Sequence, residues 1–295
     1  MDKSLQDVLE KNYPFEIVRV ELIRDLIGSI YKIETSEGPY CLKLHRPHQT
    51  EEAKRGAAVQ SHLQSKGVFV PRIIPTSLGQ MHFMHGGRTG VLMEYVEGDA
   101  VDVKRHRDLA LAEHARMQKA MEDYPHALPK KRFGYYAGRY LDYMEATGFP
   151  KAKTKTLRSH AKDFYGHLNK LPPGFSHGDY HNGNMVLRDG RVVILDFDAC
   201  NDFSPDVDIV TFLDHTDFNA FSEAGIEKTI EALKETFDPE DERLMALLAY
   251  LPIRHMEIIM NIYEAEEKRD TDHAFHLQQY HWICDFHAYW TRRFI

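Results

Sequence analysis

The stretch SHGDYHNGN at residues 176–184, with LDFD following at 195–198, places six polar side chains suited to proton or metal binding in one short part of the chain. They are three acids, two imidazoles and one amide: Asp179, Asp196, Asp198, His177, His181 and Asn184. Carboxylate and amide oxygens are ligands that hard cations prefer. A carboxylate can also accept a proton from a reacting group. The stretch therefore indicates a site for a cation and a base.

A hairpin is predicted between the two polar parts of this stretch. Asp189 and Gly190 separate two apolar runs, and Asp-Gly in that setting is a strong signal for a two-residue turn. With these two residues in the turn, Asn184 pairs with Leu195. Asn184 and Asp196 then emerge side by side at the open end of the hairpin, on a rigid support.

Composition places the chain among globular proteins. It has 295 residues, a formal net charge of −8, 43% hydrophobic residues and 28% charged residues, which suits one large domain or two modest ones. The three cysteines, Cys41, Cys200 and Cys284, are far apart and form no metal-ligand pattern. Reduced thiols in a reducing compartment are expected. The N-terminus has no apolar signal core and no apolar run is long enough to span a bilayer, so a cytoplasmic protein without a membrane partner is expected.

The charge is unevenly distributed. Residues 201–295 contain many more acids than bases, whereas residues 1–100 are near balance. Nucleic acid is not expected as a partner, because phosphate binding needs a basic face. The acidic surplus indicates either a solvated surface or a wall that attracts a cationic, amine-bearing substrate.

Hydrophobic periodicity changes near residue 100. Before it, alternation and β-branched residues predict strands over residues 16–22, 29–34, 40–44, 68–74, 81–83 and 88–96. Helical spacing predicts helices over residues 1–14, 50–66, 109–121, 135–146, 154–170, 208–214, 222–237, 241–267 and 272–293. A sheet-bearing segment at 1–97, a hinge near 94–100 and a helical segment at 98–295 form the expected division.

The motif HGDYHNGN at 177–184, the hairpin and DFD at 196–198 resemble the catalytic core of the aminoglycoside phosphotransferase and choline kinase-like family. That family shares the protein-kinase-like fold and includes homoserine kinases, methylthioribose kinases and spore-coat-related kinases. The resemblance implies an α+β fold of two lobes: a small N-lobe with an antiparallel sheet, which binds nucleotide, and a larger, mainly helical C-lobe with the catalytic loop and acceptor site. It also implies ATP and Mg²⁺ as cofactors.

Phosphoryl transfer requires mainly positioning and neutralisation of phosphate charge, which assigns a role to each polar residue. Asp179 is the predicted base that accepts the proton of the substrate hydroxyl. Asn184 follows it at the interval found in kinase catalytic loops and offers a neutral oxygen to Mg²⁺. Asp196 supplies a carboxylate to the metal. Asp198 either binds a second metal ion or supports the loop.

Three further residues are predicted to support the loop. His177 resembles the family histidine that braces the loop backbone, and His181 is expected to contact the loop rather than transfer a proton. Asp208 resembles the aspartate that follows the metal loop and buttresses the catalytic loop.

In the N-lobe, Lys43 resembles the kinase lysine that binds the α- and β-phosphates. Gly28 and Ser29 lie where a phosphate-covering loop turns between two strands, with the amide and hydroxyl of Ser29 as the expected contacts. Glu94 and Val96 resemble the hinge, where main-chain groups bind adenine.

One position departs from the family pattern. The family usually has a glutamate in the first long helix that pairs with the strand lysine, and here that position falls near Gly56. Either Glu52, one turn earlier, substitutes for it, or the pair is absent.

The acceptor is expected against the helices of the C-lobe, where Asp202, Arg254 and Glu257 are candidate contacts. Arg254 either binds an acidic group of the acceptor or pairs with a local carboxylate. The stripe of Met256, Ile259, Met260 and Tyr263 is expected to pack in the core.

The leading prediction is an ATP- and Mg²⁺-dependent kinase that phosphorylates a hydroxyl of a small molecule, such as an amino alcohol, an aminoglycoside or a sugar-like compound. A protein Ser/Thr kinase of the same fold and a non-catalytic nucleotide-binding protein are alternatives. A metallophosphoesterase, suggested by Asp179-Tyr180-His181, needs further His and Asp ligands that the sequence does not provide.

Overall fold

The structure is a computed structural model that describes residues 3–237, 239–265 and 272–295. Two units can be distinguished, one formed by Met1–Ala127 and His177–Cys200 and the other by Leu128–Ser176 and Asn201–Ile295. The first unit thus contains the whole polar stretch from His177 onward. The units are defined by the contacts that residues make within the chain. The division predicted between residues 97 and 98 stays a prediction.

The described residues include ten strands. They are β1 (Ile17–Asp25), β2 (Ser29–Thr35), β3 (Gly38–Leu44), β4 (Phe83–His85), β5 (Arg88–Glu94), β6 (Asp99–Ala100), β7 (Gly174–Ser176), β8 (Met185–Arg188), β9 (Arg191–Ile194) and β10 (Asn201–Phe203). In the first unit, five of them form an antiparallel sheet in the order β1-β2-β3-β5-β4, and three form a second sheet in the order β6-β8-β9. The predicted antiparallel sheet of the N-lobe is confirmed.

Nine α-helices lie within the described ranges. They are α1 (Lys3–Asn12), α2 (Thr50–Ser65), α3 (Arg107–Met121), α4 (Arg139–Ala146), α5 (Lys151–Leu168), α6 (Asp206–Phe212), α7 (Glu223–Phe237), α8 (Asp241–Ala265) and α9 (His273–Phe294). The predicted helices are confirmed to within a few residues. The predicted end of α8 at residue 267 lies outside the described residues.

The two faces of the five-stranded sheet are covered by different helices. Leu42 on β3 belongs to the buried cluster that includes Leu5 and Leu9 of α1, whereas Val91 on β5 packs with Ala53 and Ala57 of α2. Lys43 pairs with Val91 across β3 and β5. Because successive strand residues point to opposite faces, Lys43 shares the α2 face with Val91.

The hairpin of β8 and β9 has the predicted turn and register. Asp189 and Gly190 have φ angles of 52° and 72°, and two left-handed residues in succession define a type I′ turn, whose twist matches that of the strands. The pairs run from Arg188 with Arg191 to Met185 with Ile194. The N–H of Leu195 then donates to the carbonyl of Asn184 at 2.9 Å, which confirms the predicted pairing of residues 184 and 195.

The second unit is helical apart from the two-stranded pair of β7 and β10. Helix α8 is its centre, since it contacts α4, α5, α6, α7 and α9. The predicted core stripe on α8 is buried, as confirmed by its four residues, Met256, Ile259, Met260 and Tyr263. None of the described helices combines the length and the apolar character that a membrane span requires.

The strand predicted over residues 68–74 is wrong. This segment forms a single bridge, between Ile73 and Met93, and its other main-chain bonds go to different elements. The N–H of Ile74 donates to Leu92, whereas the carbonyl of Phe69 accepts from Ile194 of the hairpin. Strands β6, β7 and β10 were not predicted, because two or three residues are too few to show alternation.

The turn of the hairpin yields the first prediction. Replacing Gly190 by Ala is expected to lower the free energy of unfolding by about 1–2 kcal/mol, because a Cβ is unfavourable at a left-handed φ. No neighbouring atom lies within 4 Å of a Cβ at this position, so crowding does not contribute. Gly190→Asn is the matched control, since asparagine tolerates this conformation. Urea denaturation measures both variants, and an equal loss for Ala and Asn would contradict the conformational explanation.

Candidate active site

The loop that follows β7 is braced by a buried histidine. The Nε2 of His177 lies 2.9 Å from the carbonyl oxygen of Leu195 and must carry the proton, because a carbonyl only accepts. Its Nδ1 then accepts from the N–H of Asp179 at 3.2 Å. The side chain of His177 thus connects the loop to the end of the hairpin, and these are the contacts expected of a bracing residue.

Asp179 and Asn184 are joined directly. The Nδ2 of Asn184 donates to Oδ2 of Asp179 at 2.7 Å and to its carbonyl oxygen at 3.0 Å. These bonds fix the carboxylate and turn the amide oxygen of Asn184 to the opposite side. His181 accepts the N–H of Gly183 at its Nδ1, 3.0 Å away, which is the predicted loop contact. Its Nε2 lies 3.5 Å from Oδ2 of Asp179.

Lys43 contacts both aspartates of the DFD segment, Asp196 and Asp198. Its Nζ lies 2.7 Å from each carboxylate oxygen of Asp196 and 2.6 Å from Oδ2 of Asp198. Asp196 has a φ of 63°, a left-handed conformation that is uncommon outside glycine and clusters at functional sites. The first unit therefore brings together Lys43, Asp196 and Asp198.

The charges in this cluster stabilise one another. Burial favours the neutral form of Lys43, but Asp196 and Asp198 outweigh it and raise the pKa of the ammonium. Burial alone would raise the pKa of Asp198, but Lys43 and His45 together lower it. Lys43 and Asp198 therefore stay charged near neutral pH.

Sequence reasoning missed three contacts around Asp198, which are made by His45, Arg55 and Gly56. His45 is buried and places its Nε2 2.8 Å from Oδ2 of Asp198 and its Nδ1 3.1 Å from the carbonyl of Thr89. Arg55 donates from Nη2 to the carbonyl of Asp198 at 3.1 Å. Gly56 packs against Asp198 so closely that a Cβ there would lie 2.7 Å from its Oδ1. His45 had a sequence signal, because it follows Lys43 by two residues and so shares its strand face. Gly56 had one as the departure from the family pattern.

The expected lysine–glutamate pair has no counterpart among the described residues. Lys43 pairs there with Asp196 and Asp198, and Glu52 forms no ion pair with it. The second of the two predicted alternatives, an absent pair, agrees with these contacts.

The described residues contain no group of three or more His, Cys, Asp or Glu side chains arranged to hold a metal ion. The metallophosphoesterase alternative therefore has no support in the described part of the chain. A magnesium site of kinase type needs fewer protein ligands, because it is completed by water and substrate phosphates. The amide oxygen of Asn184 and the carboxylate of Asp196 are hard donors that suit Mg²⁺, so the residues present fit this ion.

The predicted nucleotide-binding residues have the following contacts. The hydroxyl of Ser29 donates to Asp25 at 2.9 Å and accepts from Nη2 of Arg88 at 2.8 Å, whereas Gly28 lies in the turn between β1 and β2. The hydroxyl of Ser29, one of its two predicted phosphate contacts, is thus already engaged within the protein.

At the hinge, both the carboxylate and the main-chain N–H of Glu94 are already bonded. The carboxylate pairs with Arg188 at 2.7 Å, and the N–H donates to the carbonyl of Arg72 at 2.8 Å. The N–H of Val96 makes no hydrogen bond with the described residues. A cavity of about 500 Å³ adjoins both hinge residues and the β8–β9 hairpin.

Asp208 belongs to the second unit and is buried there. Its Oδ1 accepts from the hydroxyl of Ser176 at 2.8 Å, and Ser176 directly precedes the loop that begins at His177. The buttressing role of Asp208 stays a prediction.

The acceptor candidates of the second unit have very different surroundings. Asp202 is partly exposed, with its Oδ2 3.4 Å from Nζ of Lys130. Glu257 is buried and pairs with the buried Lys131 at 3.2 Å. Arg254 is buried and contacts Tyr250. Burial raises the pKa of Asp214, and hydrogen bonds from Thr216 and the charge of Arg254 offset only part of that rise. Pairing of Arg254 within the protein is thus the better supported of its two predicted roles.

A stack of aromatic rings lies beside Arg254. The ring of His255 is sandwiched between Phe218 at 4.2 Å and Trp282 at 4.3 Å, measured between ring centroids. Its Nε2 is bonded to the side chain of Gln279. Burial lowers the pKa of His255 to about 4, so this histidine is neutral at physiological pH.

Comparison with known proteins gives a family and a fold. The sequence pattern of the phosphotransferase enzyme family matches residues 20–247. Among solved structures, an amicoumacin kinase in complex with AMP-PNP and Ca²⁺ is similar with a TM-score of 0.71 and 19% identity, over 98% of this chain and 96% of that one. A microcompartment-associated aminopropanol kinase has a TM-score of 0.71 and 15% identity, over 99% and 97%.

A third structure, an ethanolamine kinase of Plasmodium vivax, has a TM-score of 0.63 and 15% identity, over 92% of this chain and 83% of that one. At these identities the likeness shows the fold. The predicted two-lobed, protein-kinase-like α+β fold is confirmed.

The buried imidazole of His255 yields a prediction for stability against pH. In the unfolded chain a histidine titrates near 6.5, whereas in the folded chain the pKa of His255 is about 4. Between these values the unfolded state binds a proton that the folded state does not. The contribution of neutral His255 to the free energy of unfolding is therefore fully present above about pH 6.5. It falls by about 3 kcal/mol as the pH drops to about 4.

His255→Phe keeps a ring in the stack but removes the titration, so its free energy of unfolding is expected to change less than that of the wild type between pH 6.5 and 4. His255→Phe also loses the hydrogen bond to Gln279, which lowers its free energy of unfolding by about 1–3 kcal/mol at every pH. His281→Gln, at an exposed position of α9, is the control and should retain the wild-type slope. Denaturation curves across this pH range measure the slopes, and parallel curves for wild type and His255→Phe would contradict the assignment.

Proposed function

The chain belongs to the phosphotransferase enzyme family, and we propose that it transfers the γ-phosphate of ATP, with Mg²⁺, to a hydroxyl of a small molecule. The observation that carries this proposal is the convergence, within one unit, of a lysine–aspartate pair and an aspartate–asparagine pair. Lys43 bonds Asp196, Asn184 bonds Asp179, and the hairpin holds Asn184 and Asp196 at the same end.

Asp179 is proposed as the base. Its Oδ2 is engaged by Asn184, which orients the carboxylate, and the acceptor hydroxyl would donate its proton to this group as its oxygen approaches the γ-phosphate. His177 supports the orientation by accepting the main-chain N–H of Asp179. His181 is proposed to limit the rotation of the carboxylate from its position 3.5 Å away.

Asn184 and Asp196 are proposed to hold Mg²⁺, with Asp198 as the third residue of the predicted metal set. The ion, when bound, neutralises phosphate charge. The contacts of Asp198 with Lys43 and His45 favour support of the loop over direct metal binding.

Lys43 is proposed to bind the α- and β-phosphates, and Gly28 and Ser29 to cover them through main-chain N–H groups. Adenine is proposed to bind the carbonyl of Glu94 and the N–H of Val96. The choice of these two main-chain groups is supported by the hinge contacts. The N–H of Glu94 already donates to the carbonyl of Arg72, and its carboxylate already pairs with Arg188.

The proposed acceptor is an amine-bearing alcohol. The similar structures include kinases named for amicoumacin, aminopropanol and ethanolamine, and Asp202 offers a partly exposed carboxylate for a cationic group. Glu257 is a weaker candidate, because Lys131 already neutralises it. A cytoplasmic location is part of the proposal, and none of the three cysteines forms a disulfide among the described residues.

Asp179→Asn is expected to reduce turnover by about 10²–10⁴-fold, the usual contribution of a positioned base. ADP release over a panel of amino alcohols and aminoglycosides measures turnover and identifies the acceptor. Nucleotide affinity should be nearly unchanged, because the base contacts the acceptor. Asp189→Asn is the control, since it removes an exposed carboxylate from the hairpin turn. Unchanged turnover in Asp179→Asn would remove the base assignment.

Nucleotide use is tested separately on the wild-type protein. ATP with Mg²⁺ is expected to raise the temperature of unfolding by mass action, and chelation of the metal is expected to abolish ADP release. The absence of any thermal shift at millimolar ATP and Mg²⁺ would contradict the kinase proposal.

A further inference from the structure

Lys43 is an ammonium group that needs a fixed anionic partner. Its side chain is only 15% exposed, and a buried charge is tolerated only when it is paired. Helix α2, which covers this face of the sheet, has a glycine, Gly56, packed against the DFD segment. The partner of Lys43 must therefore come from another element.

Asp196 and Asp198 both contact Lys43, but their situations differ. Asp196 is proposed as a metal ligand, and a carboxylate that binds Mg²⁺ has fewer lone pairs for an ammonium group. Asp198 lies 2.6 Å from Lys43 and is held from two further directions. His45 bonds its carboxylate at 2.8 Å, and Arg55 bonds its main-chain carbonyl at 3.1 Å.

The space that Asp198 occupies is available because residue 56 has no side chain. A Cβ on residue 56 would lie 2.7 Å from Oδ1 of Asp198, 3.2 Å from its main-chain nitrogen and 3.2 Å from the carbonyl carbon of Phe197. The first distance is far below van der Waals contact. A helix side chain at residue 56 and the present position of the Asp198 carboxylate exclude each other.

We propose that Asp198 is the positioning residue of Lys43, that it supplies the carboxylate which helix α2 lacks, and that Gly56 admits it. His45 and Arg55 hold Asp198 for this role. The inference rests on the proposed function in two respects, since it takes Asp196 as the metal ligand and uses nucleotide binding as one of its two readouts. The contacts themselves involve no nucleotide.

The test moves the carboxylate from residue 198 to residue 56. Asp198→Ala is expected to weaken binding of ATP with Mg²⁺ about tenfold, the equivalent of ~1.4 kcal/mol. Gly56→Glu alone is also expected to weaken it, because the new side chain collides with Asp198 and repels its charge. The double variant Gly56→Glu/Asp198→Ala should recover most of the loss, since the glutamate enters the vacated space and faces Lys43. Gly56→Ala/Asp198→Ala adds the same Cβ without a carboxylate and should not recover.

A second readout needs no nucleotide. Limited acetylation of the full chain, followed by mass spectrometry, measures how accessible the Lys43 amine is. Lys43 should be acetylated faster in Asp198→Ala than in wild type, and should be protected again in Gly56→Glu/Asp198→Ala. Asp198→Asn, which keeps the side-chain size, replaces Asp198→Ala if circular dichroism shows that the latter does not fold, and it should show the same weakened binding and faster acetylation.

The outcomes separate the two proposals. A wild-type protein that binds no nucleotide would overturn the proposed function, while the acetylation pattern still decides the role of Asp198. Wild-type acetylation of Lys43 in a folded Asp198 variant would overturn the inference. Equal behaviour of the two double variants in both readouts would also overturn it, because a carboxylate at residue 56 would then have no effect beyond its volume.

Discussion

The ammonium group of Lys43 is the constraint on which the first unit depends. Removing a charge from water costs several kcal/mol, and an ion pair offsets this only when its partners are held in good geometry. Here the partners are fixed by elements distant in sequence: β3 carries Lys43, and the segment after β9 carries Asp196 and Asp198. The aspartate segment that pairs with Lys43 also lies beside Asn184, at the end of the hairpin. The contacts that pair the buried charge are therefore also the contacts that assemble the site.

The local parts of this site could be predicted from the sequence. Asp189 and Gly190 specify a type I′ turn, and the turn determines the register that brings Asn184 and Asp196 to one end. Lys43 could be assigned to a strand because its neighbours alternate. In each case a short-range rule, the φ preference of a turn or the period of a strand, was sufficient.

The partner of Lys43 could not be predicted in the same way. Nothing in the spacing of Gly56 and Asp198 shows that one leaves room for the other, since their contact depends on how α2 packs. The failed strand at residues 68–74 has a similar cause. Its main-chain groups bond to β5 and to the hairpin, so its apolar residues fill gaps between elements instead of lining one face. Non-local packing decides both features, and composition and periodicity do not encode it.

Charge composition was the least informative signal for the second unit. The acidic surplus of residues 201–295 suggested a wall for a cationic ligand, but many of these acids have internal partners. Ion pairs neutralise several of them: Asp206 with Arg243, Glu223 with Arg292, Glu242 with Lys170, Glu257 with Lys131 and Glu264 with Arg139. Most of these bases come from the part of the second unit that precedes the hairpin or from α9.

An acid paired in this way contributes little to the field that a ligand meets, because the opposite charge lies within a few ångströms. A count of acids therefore overstates the attraction for cations. The partly exposed carboxylate of Asp202 is a better guide to the proposed acceptor recognition than the net charge, although Lys130 lies 3.4 Å from it. A single accessible carboxylate would select one amine at a defined position of the acceptor, whereas a diffuse acidic wall would accept any polycation. For the proposed acceptor site, this pairing pattern is better suited to a small amino alcohol than to a large polyamine.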